Sequence, residues 1–197
     1  MARRLIVLVV LGLAVPATAL AATVKVRIEG KTRTLFAPTE VTVTAQNALD
    51  ALEQASVLGE LYYHVTVTGF GPYVDQVGRY GGSASSGWVF KVNDASPPVG
   101  ADKLTLHDGD RVLWYYADFG PTGGPPTLRI KRSGVCYTAT AFDDNGKAVA
   151  VNDVTWHVGS KRAVMASSTA RRFCPGHHEG LLIRAEGGGA IRSNALP

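Results

Sequence analysis

Any chemistry in this chain has to come from a few short clusters. His177, His178 and Glu179 are zinc-ligating residue types. Adjacent residues of an extended strand point to opposite faces, however, so these neighbouring imidazoles do not share an ion, and the trio reads as a solvated turn. Asp143, Asp144 and Asn145 before Gly146 resemble the start of a calcium loop, yet the loop's spacing and closing glutamate are missing. A type I′ hairpin turn explains them instead. Neither Gly-x-Ser-x-Gly nor His-Glu-x-x-His occurs. His64 lies mid-strand between Tyr63 and Val65, His107 precedes a turn, and neither has a carboxylate partner evident in the sequence. The expectation is a non-catalytic protein with no metal site and no required cofactor. The rival is a hydrolase assembled in space from His, Asp and Ser.

Aromatic residues offer more. Trp88 sits where the glycine-serine loop 81–87 enters a strand, and with Tyr73, Tyr80, Tyr115 and Tyr116 it could form a platform for a flat ligand or glycan. Ser86 and the polar loop beside it make Trp88, Tyr80, Ser86, Tyr73 and Tyr116 the candidate ligand-binding set, because function concentrates on loops held by a rigid scaffold. The competing reading places Trp88, and more so Trp114, beneath a helix as core. Neither glycine-rich loop ends in Gly-Lys-Ser/Thr or leads into a helix, so both read as hairpin loops.

The elements that would position these residues follow from patterning. Val24, Val26 and Ile28 alternate with Lys25, Arg27 and Glu29, the signature of a half-buried strand. Thr32 to Phe36 and Glu40 to Thr44 continue as strands. Asn47 then caps a helix with Asp50 at N3 and an apolar stripe of Ala48, Leu49, Leu52, Ala55 and Leu58, which Gly59 ends. Tyr62 to Thr68, Tyr73 to Val77, Trp88 to Val92 and Arg111 to Ala117 are further strands. One helix among these strands implies an α+β domain over residues 22–119, of ubiquitin-like β-grasp arrangement.

Residues 120–126, Gly-Pro-Thr-Gly-Gly-Pro-Pro, break helix and strand alike and mark a linker. Beyond it, Thr127 to Lys131, Val135 to Phe142, Val149 to Val158, Ala163 to Met165 and Leu181 to Ala185 are short strands, so residues 127–197 are expected to form an all-β immunoglobulin-like sandwich.

Export is written at the start. Arg3 and Arg4 precede an unbroken apolar stretch from Leu5 to Val15, Pro16 breaks it, and Ala19-Leu20-Ala21 is a small-x-small cleavage site. Residues 1–21 therefore read as a signal peptide cut between Ala21 and Ala22, and the apolar stretch is too short for a membrane span. The mature chain is expected to be secreted or at the cell surface, with no membrane association after cleavage. In an oxidising compartment the only two cysteines, Cys136 and Cys174, are expected to pair, holding the two sheets of the sandwich together. Closing a loop of about 38 residues contributes roughly 3 to 4 kcal/mol in the chain-entropy model. The formal charge of +4 includes Arg3 and Arg4. The remainder is scattered along the sequence, without the clustered basic face of a nucleic-acid binder.

A family resemblance sharpens the N-terminal reading. Gly81-Gly82, Ser86 to Asn93, Val99-Gly100-Ala101, Leu106 to Asp110 and Val112 to Tyr116, with Val26 to Gly30 and Ala48 to Leu52, closely resemble the transcobalamin-like C-terminal domain, also called DUF4430, over residues 24–119. The resemblance implies a β-grasp-like lid and a bacterial secreted or surface module. It also makes a cobalamin-like corrinoid one candidate ligand, although the barrel domain that precedes this module in the cobalamin carriers has no counterpart here. A cell-envelope protein that docks partners through its sheet edges is the alternative.

Overall fold

The computed structural model describes residues 20–121, 123–159, 161–163 and 171–197. Most of the proposed signal peptide, Thr122 of the linker, and Val164 and Met165 of the Ala163 to Met165 strand lie outside the described residues. Among the described residues the architecture is mostly β, with several sheets and one short helix.

The N-terminal part is built on a mixed four-stranded sheet of order β2-β1-β7-β6, from β1 (Ala22–Glu29), β2 (Thr34–Ala45), β6 (Ser86–Val92) and β7 (Arg111–Asp118). β1 and β7 run parallel at its centre, with Val26 beside Val112 and Ile28 beside Trp114. Helix α1 (Ala48–Leu58) crosses one face. The capping is reciprocal: Asn47 Oδ1 accepts from the Asp50 amide at 2.8 Å, and Asp50 Oδ2 accepts from the Gln46 amide at 2.7 Å. Ala48, Ala51, Leu52 and Ala55 are buried against Val24, Val26, Ile28, Trp88 and Trp114. Leu58, expected in this stripe, is instead exposed, because the last helical turn buries Ser56 in its place. Gly59 ends the helix with φ −99, so its value is not left-handed freedom. A Cβ there would come within 2.5 Å of the Phe36 ring.

Thr32 to Phe36 and Glu40 to Thr44 belong to one strand, β2, interrupted by a bulge. Register passes from Val26↔Val41 to Ile28↔Phe36, so residues 37–40 stand opposite Arg27 alone, with Ala37 and Glu40 at positive φ. A second, smaller sheet of β3 (Tyr63–Thr68), β4 (Gly71–Val77) and β5 (Tyr80–Gly81) packs through β4 near β6.

In the C-terminal part, β9 (Cys136–Phe142) pairs with β8 (Thr127–Ser133), β10 (Ala148–Val149) and β13 (Arg172–Phe173). β11 (Thr155–Val158) lies between β12 (Lys161–Ala163) and β14 (Ile183–Glu186). A second apolar core, with Leu128, Ile130, Tyr137, Trp156 and Ile183, lies between these sheets. The expected Val149 to Val158 strand is broken into β10 and β11, and Asp153, at φ 55, turns the chain between them.

Two further expectations are corrected. The Cys136–Cys174 disulfide is present but does not join two sheets. Phe173 pairs with Tyr137, which places Cys174 beside Cys136 within a single sheet, where the bridge fastens the two-residue strand β13 to β9. The Asp143–Lys147 hairpin is not type I′, because only Gly146 has positive φ. Asp143 builds the turn instead, its side chain accepting from the Asn145 and Lys147 amides. A type I′ turn occurs elsewhere, at Asn93-Asp94, with φ 52 and 77.

The outer face of the central sheet is covered as well. Glu29 is 0% exposed, accepting from Arg27 Nη1 at 2.8 Å, Arg192 Nε at 3.0 Å and Thr34 Oγ1. Lys91 is equally buried. Its Nζ donates to the carbonyl oxygens of Asp143 at 2.7 Å and Phe142 at 3.1 Å. Ala195 donates its amide to the carbonyl of Pro38 in the bulge. These bonds tie the C-terminal part to the sheet face opposite α1.

Candidate binding cleft

β6 ends the central sheet, and its free edge looks toward β4 and the 96–101 loop. Between them lies a cleft of about 250 Å³, walled by Tyr73, Val74, Trp88, Phe90, Pro97 and Trp114. Strand alternation explains this wall: Trp88 and Phe90 are two apart on one face of β6, and Phe90 pairs with Trp114, ring centroids 5.1 Å apart. Trp114 is fixed from below by donating Nε1 to the Ala48 carbonyl at 2.9 Å, so the helix N-terminus sets the floor. Gly100 and Ala101 complete the lining.

The five candidate residues fall into two groups. Trp88 and Tyr73 line the cleft. Trp88 is only 1% exposed and donates Nε1 to the Tyr80 carbonyl at 2.8 Å, whereas Tyr73 is 41% exposed at the rim. Gly87 lies where a side chain would collide with the Tyr73 hydroxyl, so that ring's position depends on a glycine. Tyr80, Ser86 and Tyr116 do not line the cleft. Tyr116 is buried, packs edge-on to Trp88 at 5.7 Å, donates to the Gly81 carbonyl and shares a hydrogen bond with Ser86, which bonds Ser83. An open aromatic platform of Trp88 and Tyr116 is therefore absent: both rings are spent on packing and on fixing the 81–86 loop. Tyr80 lies under the Arg79 guanidinium. Its hydroxyl, bonded to Thr32 and Arg79, is pulled below its ordinary pKa, chiefly by the Thr32 hydrogen bond. Phe90 and Pro97 escaped sequence reasoning. The i, i+2 spacing of Trp88 and Phe90 was the available signal for the first.

Histidine partners absent from the sequence appear in space. His64 Nδ1 is 2.7 Å from Asp75 Oδ1, across the β3–β4 pair, and Thr66 donates to Asp75 Oδ2. The Thr66 hydrogen bond, followed by the His64 contact, holds the Asp75 carboxyl below its usual range. This arrangement supplies a base and its orienting acid, but among the described residues no hydroxyl or thiol bonds His64. His178 hydrogen-bonds the Tyr137 hydroxyl and the Gly176 carbonyl, while His177 stands exposed 3.9 Å from Glu179. Among the described residues no group of three or more His, Cys, Asp or Glu is placed to hold a metal ion.

Comparison with known proteins agrees with the motif reading. Residues 44–118 match the family model described as "Domain of unknown function (DUF4430)", so the N-terminal part carries a DUF4430 domain. The match begins at Thr44 inside β2 and so omits β1, the strand that completes the sheet beside β7. No curated protein matches the chain. A solved structure from Ruminococcus gnavus ATCC 29149, described as "a putative metal binding protein", overlaps with 13% identity, covering 50% of this chain and 99% of its own. Its TM-score of 0.39 is too low to carry any statement about this protein.

Proposed function

We propose that this protein is an exported, non-catalytic binding module that takes an apolar ring-shaped group in the Trp88–Trp114 cleft. The observation that carries the reading is the cleft itself: three aromatic walls, a half-exposed Tyr73 and a proline loop converge at the edge of a rigid sheet, inside a domain of the DUF4430 family. Its volume of about 250 Å³ is below the roughly 300 to 1,000 Å³ of ligand pockets that engulf a drug-sized molecule. It suits one ring or the edge of a larger flat molecule. A corrinoid would insert one apolar edge. A glycan is less well matched, since sugars stack on open ring faces and Trp88 presents none.

Under this proposal residues 1–21 direct export and are cut between Ala21 and Ala22, and the mature protein works outside the cytoplasm. The order β2-β1-β7-β6 with its parallel central pair and single helix supports a β-grasp-like unit over residues 22–119. The second core supports an immunoglobulin-like sandwich over 127–197, after the linker. A second reading has its own support: β6 is an end strand beside an apolar cleft, the arrangement by which an extended peptide adds to a sheet.

Titration with a corrinoid, with haem and with oligosaccharides, followed by tryptophan emission, tests the proposal. Saturable quenching by a flat ring compound, weakened about tenfold by Tyr73→Ala, is expected. No response to any of them, or quenching unaffected by Tyr73→Ala and by the cleft-filling Ala101→Met, contradicts it. Trp88→Ala is the wrong probe, since deleting a buried tryptophan costs about 3 to 5 kcal/mol.

A further inference from the structure

Basic residues scattered along the sequence meet in one place. β1 and β7 are neighbours in register, with Lys25 beside Arg111, and both face away from the helix. On β8, Leu128 and Ile130 turn into the second core, which leaves Arg129 and Lys131 on the opposite face, toward the central sheet. The result is an open groove of about 400 Å³ between the two parts of the molecule, lined by Lys25, Arg111, Arg129, Lys131, Arg132 and Glu40.

Charge is poorly balanced there. Asp94, held at the type I′ turn, is the single carboxylate bonded by both Arg111 and Arg129. Arg132 is already occupied, donating to the carbonyl of Gly134 and to an oxygen of the terminal residue Pro197. Among the described residues Lys25 and Lys131 form no ion pair, and both are exposed, one contributed by each part of the molecule. Arg132 aside, four cations thus face two carboxylates, Glu40 and Asp94. Like charges in one groove repel unless something answers them, and a concave site concentrates the resulting field. The two guanidinium forks suit tetrahedral oxyanions, while the lysines act as mobile point charges.

We propose that this groove binds a phosphate-bearing anion carrying more than one charged group, bridging the two parts of the molecule. It shares no lining residue with the Trp88–Trp114 cleft, so it stands or falls separately. Base-stacking nucleic acid is disfavoured because no aromatic side chain lines the groove.

Isothermal titration of the full chain with sodium tripolyphosphate, and co-sedimentation with phosphatidylglycerol vesicles, separate a soluble anion from a lipid headgroup. Binding to the oligophosphate, lost progressively as salt is raised from 50 mM to 500 mM, is expected. The double variant Lys25→Glu/Lys131→Glu should weaken it at least about tenfold without changing the melting temperature, because both side chains are solvated. Lys25→Gln/Lys131→Gln, a milder change, should give an intermediate loss. Binding of the vesicles alone, with the same lysine dependence, assigns the phosphate to a headgroup. No binding to either probe, or binding indifferent to both double variants, overturns the proposal.

Discussion

The two faces of the central sheet are buried by different physics. Toward α1, Val24, Val26, Ile28, Leu52 and Trp114 pack as an ordinary apolar layer, with one indole hydrogen bond to the helix. Toward the C-terminal part, the same strands bury Glu29, Arg27 and Lys91, each held by named partners. The apolar face is non-directional, so it accepts any side chain of the right volume. The polar face works only when every partner arrives, because an unpaired buried charge is costly. It therefore sets how the C-terminal part docks, and the groove carrying Lys25 and Lys131 exists because that docking is fixed.

The largest effect should come from Glu29→Ala. Removing the carboxylate strands Arg27 and Arg192 together, and breaking a buried pair in this way costs about 3 to 5 kcal/mol, measurable by denaturant unfolding. Replacing Arg27, Glu29 and Arg192 together by apolar residues of similar volume should cost far less. If Glu29→Ala proved as mild as a surface change, the contrast between the faces would fail.

A smaller effect is expected from pH. Tyr115 is buried on the polar face, and burial pushes its hydroxyl far above the ordinary value of 10.0. A phenol that ionises in the unfolded chain but not in the folded one costs stability as pH rises. The unfolded state then binds fewer protons, and stability falls above about pH 10. Lys91 acts in the opposite sense, since burial lowers its pKa from 10.5. Folded Lys91 gives up its proton first, so stability rises between its lowered value and 10.5. Tyr115→Phe should therefore flatten the alkaline loss while leaving the rise at lower pH, read as melting temperature against pH. A loss above pH 10 that persists unchanged in Tyr115→Phe would assign it to other groups.

This contrast also explains what the sequence could disclose. Alternation along Val24 to Glu29 located β1, and Asn47 with Asp50 located the helix start, because both are local signals. The same alternation made Lys25, Arg27 and Glu29 look like a solvent face. Periodicity reports that a face is polar, and only the second layer decides whether it is wet, so the Arg27–Glu29–Arg192 cluster was invisible. Register defeated other readings for the same reason. His64 meets Asp75, and Cys174 meets Cys136 within one sheet, through strand pairings that no local pattern encodes. Trp88 and Tyr73 drew notice in the sequence because aromatics beside a glycine loop are conspicuous, and both line the cleft. Pro97 joined them through a loop closure that only the folded chain displays.

The central claim is that the cleft at the β6 edge is where this protein binds, and indole NMR tests it most directly. Trp88, Trp114 and Trp156 are the three tryptophans, of which the first two line the cleft and the third lies in the second core. On titration with a flat apolar ligand, the indole N–H signals of Trp88 and Trp114 should move together to saturation while that of Trp156 stays fixed. Movement of Trp156 alone, or of none of the three while the ligand binds, would contradict the account.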